Sequence, residues 1–347
     1  MKVLFWGTPA YAVPTLDAIV NAGHRVVGVV TQPDRRRGRG KTLQPSPVKQ
    51  RAQALGLHVI TPERLRNQPD LQAELADLEA EISVVVAFGQ ILPRTVLDHP
   101  PLGCWNGHGS LLPRWRGAGP LQWSLLSGDR STGVGVMAME EGLDTGPVLL
   151  QRELSIGLLE SAESLANRLS GLTAELMVEA LPLIEAAGSG TEQDRWRRLG
   201  VTPQEQLAGE QSYARMLNKE DYFLDWNRSA LDLHRQVMGL YPNALTRWRN
   251  KRLKIRSSEP LVEHLKAELS EDCRHLVGQW QPGADPAGTV LAIDNTLGMI
   301  VSTSGCPLLI REAQLEGKAQ ASGSVLLQQL QVSIGDRFNH DVSPAAS

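Results

Sequence analysis

Three short runs in the first hundred residues, KVLFWG from Lys2, HRVVGVVT from His24 and ISVVVAF from Ile82, are apolar at nearly every position. Strict alternation of apolar and polar residues suits a sheet with one wet face. Continuous apolarity suits strands covered on both faces, as when helices lie above and below a parallel sheet. The stretch between the first two runs fits that demand, because Val13, Leu16, Ile19 and Val20 recur at helical spacing between Tyr11 and Gly23. A strand, a crossover helix and a second strand make parallel pairing the expectation. PVKQRAQALG and DLQAELADLEAE read as further helices, the first stopped by glycine. The first half is therefore expected to be a doubly wound, Rossmann-like α/β domain.

At 347 residues the chain exceeds one ordinary core, and domains of roughly 100 to 200 residues make two the expectation. Pro120 opens a short helix, LQWSLLSG, that Gly128 stops; GVGVMAME and GPVLLQREL read as strands around a loop from Glu140 to Thr145. One long amphipathic helix is expected from Ser161 to Gly188, followed by a polar, Gly-containing segment with the composition of a linker. The expected division is a catalytic domain over 1–189, a linker over 190–212 and a second domain over 213–340. In that second domain a helix over 229–238 precedes short alternating segments such as ALTRWRNKRLKIR and GTVLAIDNTLGMIVST, with turns at Asp294-Asn295 and Thr303-Ser304-Gly305. So few short strands avoid open edges most simply by closing, so a five-stranded OB-type β-barrel is expected.

With 41% hydrophobic and 21% charged residues and no long apolar run, the chain reads as a soluble globular protein. The first strand ends in Gly-Thr-Pro without a signal-peptide cleavage pattern, so a cytoplasmic protein, monomeric and without a membrane partner, is expected. Cys104, Cys273 and Cys306 form no CxxC pair, and His and Cys never cluster at ligand spacing, so no metal is expected. The first turn, GTPAYAV, lacks the glycines of a dinucleotide fold and no phosphate-binding P-loop occurs, which disfavours nicotinamide enzymes and NTPases.

The chemistry concentrates in CWNGHGSLLPRWRGAGP, Cys104 to Pro120, where a buried strand is expected to end. Asn106 and His108 alternate with Gly107 and so project to one side of that strand. Asp144, in EEGLDTGP, is the candidate partner. An amide, an imidazole and a carboxylate meeting at one pocket suit acyl transfer onto an amine: two donors for the developing oxyanion and a carboxylate to assist proton removal. Residue pattern alone also admits a structural histidine, a local turn asparagine and a turn aspartate.

Together, NGHGSLLPRWRGAGP and EEGLDTGP resemble the signature of the 10-formyltetrahydrofolate-dependent formyltransferase family, and the resemblance to its methionyl-tRNA branch runs through almost the whole chain. TQPDRRRGRGKTLQPSPVK resembles that branch's basic loop, VVVAFGQILP its folate-pocket segment, and YARMLNKEDYFLDW the start of its tRNA-binding domain. The resemblance implies formyl transfer from 10-formyltetrahydrofolate to the amine of initiator methionyl-tRNA, with Asn106, His108 and Asp144 catalytic. It places folate against Phe88, Gly89, Ile91, Leu92, Ser110, Leu111, Leu112, Pro113 and Asp144. One departure stands out: family members commonly carry a bulky aliphatic residue where this chain has Gly107, which implies a looser strand end. Another is the segment 257–285, longer than the family's, with a charged part, VEHLKAELSED, expected to be helical.

Two basic segments suit an RNA partner. Arg35, Arg36, Arg37, Arg39 and Lys41 crowd a glycine-containing loop, and by resemblance Arg39 reaches the acceptor stem. In LTRWRNKRLKIR, an inward face of Trp248, Leu253 and Ile255 leaves Arg247, Arg249, Arg252, Lys254 and Arg256 to the outside, a stripe suited to phosphates. A solvated loop with no partner is the alternative for either segment.

Overall fold

The computed structural model describes residues 1–37, 42–66 and 68–338, so the expectations for Arg39 and Lys41 lie outside the described residues. The chain divides into two compact units: 1–120, 131–155 and 166–215 form one, and 121–130, 156–165 and the residues from 216 onward form the other.

In chain order the strands of the first unit are β1 (Lys2–Gly7), β2 (Arg25–Val30), β3 (Arg35–Arg37), β4 (Thr42–Gln44), β5 (Val59–Ile60), β6 (Ile82–Val86), β7 (Cys104–His108), β8 (Arg116–Gly117), β9 (Ser131–Ala138), β10 (Val148–Ser155) and β11 (Tyr213–Ala214). Seven of them make one sheet in the order β10-β9-β7-β6-β1-β2-β5. The five from β5 to β7 are parallel. The run ISVVVAF behaves as its composition demands, since every residue of β6 is buried. Strands β9 and β10 are antiparallel because a short loop joins them, leaving no length for a crossover. Helices Val13–Asn21, Pro47–Ala54 and Pro69–Asp77 form where the periodicity places them. Ser46 caps the second of these by accepting the Lys49 N–H at 3.0 Å.

The chain leaves β1 for β2 and β5, then returns to β6 and β7 on the other side of β1. That reversal is where open α/β sheets hold ligands, outside the carboxyl ends of the strands. Here the Thr8 hydroxyl, just past β1, donates to the Phe88 carbonyl, just past β6, at 2.9 Å.

The second unit carries β12 (Leu245–Trp248), β13 (Lys251–Pro260), β14 (Val290–Asp294), β15 (Gly298–Val301), β16 (Leu308–Leu315) and β17 (Ala321–Ser322). They pair antiparallel in the order β12-β13-β16-β15-β14, with β17 against β16. Among the described residues no ladder joins β12 to β14, so the sheet is open where a closed barrel was expected. Its core gathers Trp226, Leu233, Val237, Trp248, Leu253 and Ile255, with Phe338 stacked on Trp226 at 4.7 Å. The segment ALTRWRNKRLKIR is a hairpin, folded at Arg249 and Asn250, whose φ of +45° and +65° are those of a tight I′ turn.

The expected helix in VEHLKAELSED does not form; two 3₁₀ turns, Glu263–Glu268 and Glu271–Leu276, stand there. The reason is a competing acceptor. The Ser270 N–H, which a continuous helix would commit to its own ladder, donates instead to the buried Glu259 carboxylate at 2.8 Å. Glu259 is itself paired with Arg311 at 2.6 Å. Leu261, Leu269, Cys273, Leu276 and Val277 then pack with Leu297, Ile300 and Leu309 as a small core against the sheet.

Candidate active site

Strand β7 ends where Asn106 and His108 project to the same side, His108 nearly buried at 6% exposure. Gly107 between them faces the helix Ala162–Ala187, and a Cβ there would stand 2.6 Å from Thr173 Cγ2. The missing side chain therefore does not loosen the strand end. The Thr173 methyl occupies the space, and its hydroxyl shares a 2.8 Å hydrogen bond with the Tyr11 hydroxyl. Burial pushes Tyr11 up to about 12, which keeps this hydroxyl protonated and outside any acid–base role near neutrality.

Asp144 lies in the loop between β9 and β10 with φ +52°, left-handed backbone that an aspartate tolerates better than most residues. The loop is tight: a Cβ at Gly146 would fall 1.9 Å from the Ala138 carbonyl. Asp144 Oδ1 accepts from Asn106 Nδ2 at 3.4 Å, and Oδ2 accepts from the Gly117 N–H at 2.8 Å. Oδ2 also stands 3.7 Å from His108 Nδ1. The expected trio thus meets around one carboxylate. His108 Nε2 lies 2.9 Å from the Trp115 carbonyl, which only accepts, so Nε2 carries the hydrogen and Nδ1 is the nitrogen left to gain or give a proton.

The residues expected to hold folate divide into two kinds. Phe88 and Leu92 are buried, Phe88 edge-on to Trp6 at 5.2 Å, and Leu112 and Pro113 are buried as well. The Ser110 hydroxyl is committed to the Arg114 carbonyl at 2.7 Å. Their side chains build the wall rather than present free groups. What faces outward is Gly89, with φ +88°, and Ile91, 76% exposed; Leu111 is half-buried. Since β6 and β7 are neighbours, their trailing segments 88–92 and 110–113 start side by side.

Sequence reasoning missed the return segment. Residues 202–214, expected as linker and the start of the next domain, fold back onto the site. Thr202 and Val148 exchange backbone hydrogen bonds at 2.8 and 2.9 Å, and β11 pairs in parallel with β8. Ser212 Oγ accepts from the Trp115 N–H at 3.0 Å. Gln204, 2% exposed, donates to the Asp144 carbonyl at 2.9 Å and to the Gly146 carbonyl at 2.8 Å, and accepts from Arg116 Nε at 2.8 Å. No periodicity or motif marks these residues; only the Thr-Pro before Gln204 hints that the chain turns there.

Of the basic groups, Arg35, Arg36 and Arg37 form β3, paired antiparallel with β4. Leu43, opposite Arg36, is 62% exposed. On the other hairpin Arg247 stands directly across from Arg252, and Leu245 across from Lys254, on the face away from Leu253 and Ile255. Arg252 is paired with Glu316 at 2.7 Å and Arg249 with Asp336 at 3.1 Å, while Lys254 donates to the Asn243 amide oxygen at 2.7 Å.

Cys104 is held as a thiol, pushed up to about 12 by burial. Among the described residues one trio has metal-ligand proximity, Glu259, Asp272 and Cys273. Arg311 already pairs with both of its carboxylates, lying 2.6 Å from Glu259 and 2.7 Å from Asp272.

The family description "Formyl transferase" matches residues 1–181, and "Formyl transferase, C-terminal domain" matches residues 216–331. A methionyl-tRNA formyltransferase of Prochlorococcus marinus (strain MIT 9313) is 64% identical over 333 residues, 96% of this chain and 97% of its own. Among solved structures, an N-formyltransferase from Helicobacter canadensis, with folinic acid and dTDP-3-aminofucose, shares the fold at TM-score 0.59 and 16% identity, covering 89% of this chain and 98% of that one. HypX from Aquifex aeolicus in complex with tetrahydrofolic acid aligns at TM-score 0.57 and 16% identity over 96% of this chain, which spans 48% of that longer protein. With both modules matched in order and near-complete coverage at high identity, the chain belongs to the methionyl-tRNA formyltransferase family.

Proposed function

We propose that the site transfers the formyl group of 10-formyltetrahydrofolate to the α-amine of initiator methionyl-tRNA, and so serves translation initiation in the cytoplasm, as a monomer. The observation that carries this reading is the convergence of Asn106, His108 and the Gly117 N–H on the Asp144 carboxylate. The folate co-substrate supplies an electrophilic formyl carbon. The chain's own groups do the rest. Asn106 donates its amide N–H to the formyl oxygen as charge develops there, an effect worth about 3 to 4 kcal/mol per donor in comparable sites. The attacking amine is useful only without its extra proton. His108 Nδ1, backed by the Asp144 carboxylate, takes up that proton and turns it toward the formyl oxygen as the second donor; as the new amide forms and the formyl carbon's bond to the folate nitrogen breaks, this proton goes to the leaving nitrogen and the amine's remaining extra proton goes to solvent. No residue forms a covalent bond.

The donor set fits a folate held between the segments 88–92 and 110–113. The backbone at Gly89 and the exposed Ile91 are the accessible groups there, and the buried Phe88 and Leu92 fix the shape. We assign 1–189 as the catalytic domain, 190–212 as a connecting segment folded onto it, and 213–340, with its open antiparallel sheet, as a tRNA-binding domain. An amino acid's amine is small and common, so selectivity for the initiator tRNA must come from gripping RNA. The arginines of β3, together with Arg39 and Lys41 of the same basic segment, and the outer face of β12 and β13 supply the cations.

The test is formyl transfer with three acceptors: charged initiator tRNA, charged elongator tRNA and free methionine. Strong preference for the first is expected. Equal or better transfer to the free amino acid would overturn the assignment in favour of a formyltransferase acting on a small amine.

A further inference from the structure

We propose that Gln204 is a positioning residue for the Asp144 carboxylate; this rests on the reading of Asp144 as part of the reaction centre. Asp144 must present one oxygen to Asn106 and the other to Gly117 and His108, from a backbone conformation that its loop alone does not favour. An amide clamp of three hydrogen bonds is supplied from outside the loop. The clamp comes from sixty residues downstream in sequence.

Gln204 uses every group of its amide. Both Nε2 hydrogens go to the loop, one to the Asp144 carbonyl at 2.9 Å and one to the Gly146 carbonyl at 2.8 Å, which spans the residue that bears the carboxylate. Its Oε1 accepts from Arg116 Nε at 2.8 Å, and Arg116 immediately precedes Gly117, whose N–H holds Asp144 Oδ2 at 2.8 Å. One buried side chain therefore ties the backbone of the carboxylate to the backbone of its own hydrogen-bond donor, closing a ring through Gln204, Arg116, Gly117 and Asp144. With Gln204 only 2% exposed, water does not replace these bonds when they are lost. The consequence is geometric, and displacement of a reacting group by about 1 Å costs on the order of 100-fold in rate.

The experiment uses the full chain and four proteins: wild type, Gln204→Met, Asp144→Asn and the double variant. Methionine keeps the length and volume while removing both donors and the acceptor. With charged initiator tRNA and 10-formyltetrahydrofolate, Gln204→Met is expected to lower kcat about 10- to 100-fold with either KM moved by less than about threefold. In the Asp144→Asn background the same change is expected to alter kcat by less than about twofold, because the group it positions has lost its function. A merely structural role would lower kcat by the same factor in both backgrounds, and that result, or an unchanged kcat in Gln204→Met, sinks the proposal. If Asp144→Asn alone keeps wild-type kcat, the parent reading fails instead, and the two failures are distinguishable. Should Gln204→Met not fold, Gln204→Glu is compared in the same cycle. It keeps the acceptor for Arg116 but sets a carboxylate against two carbonyls, and the same non-additivity is required of it.

Discussion

Two residue-level substitutions separate chemistry from packing at the end of β7. Asn106→Ala removes one donor to the developing oxyanion and is expected to lower kcat about 10²- to 10³-fold, with tRNA affinity changing little; a loss confined to KM would place Asn106 in binding rather than turnover. Gly107→Ile acts differently. Its Cβ would crowd Thr173 Cγ2 at 2.6 Å, so overpacking of about 1–3 kcal/mol should appear as a lowered unfolding midpoint, and pairing it with Thr173→Ala should recover part of that loss. Strand alternation and a glycine-flanked loop singled out Asn106, His108 and Asp144 as candidates, but pattern alone admits structural roles for all three, and it was the resemblance to the formyltransferase signature that selected them. The Trp115 carbonyl that fixes the His108 tautomer, and Gln204, were not, because a backbone acceptor belongs to every residue and a glutamine in a polar stretch signals nothing until the chain returns.

At the scale of elements, the all-apolar strands and the helices between them could be read directly, because covering a strand on both faces demands a composition that few other environments do. The segment 257–285 misled because Leu261, Leu265, Leu269 and Cys273 recur every four residues, as a helix requires, while Glu259 diverts the Ser270 N–H from the ladder. The helix Ala230–Gly239 carries a titration worth testing. His234 is buried, with Nε2 donating to the Leu158 carbonyl at 2.8 Å and Nδ1 accepting from the Ser258 hydroxyl at 3.1 Å. Burial holds its pKa below the ordinary 6.5. Above that value the ring is neutral folded and unfolded alike. Below it, the unfolded chain takes a proton that the folded chain refuses, so stability declines as pH falls through the mid-6 range. His234→Gln should flatten the fall of the unfolding midpoint between about pH 7.5 and 5.5 relative to wild type. An identical pH dependence in both proteins would show that other groups carry it.

For the molecule as a whole, a net charge of −3 conceals how the cations are distributed, and distribution decides what a polyanion meets. On the outer face of β12 and β13, Arg252 is already answered by Glu316 at 2.7 Å and, at the turn, Arg249 by Asp336 at 3.1 Å. Among the described residues Lys254 donates to a neutral amide, and Arg247 makes no hydrogen bond or ion pair, its Nε buried without an acceptor, with the Glu316 carboxylate acting on it only at longer range. A phosphate displaces counterions from a free cation but must compete with a carboxylate for a paired one. Arg247→Ala and Lys254→Ala should therefore each raise KM for charged initiator tRNA and reduce the slope of log affinity against log salt by about one, with KM for the folate unchanged. Removing Arg252 together with Glu316 deletes a pair of zero net charge and should leave that slope nearly where it was. If the double deletion weakens RNA binding as much as Arg247→Ala does, the phosphates are read by geometry at Arg252 rather than by unpaired charge; if no substitution on this face changes the slope, the RNA does not bind there.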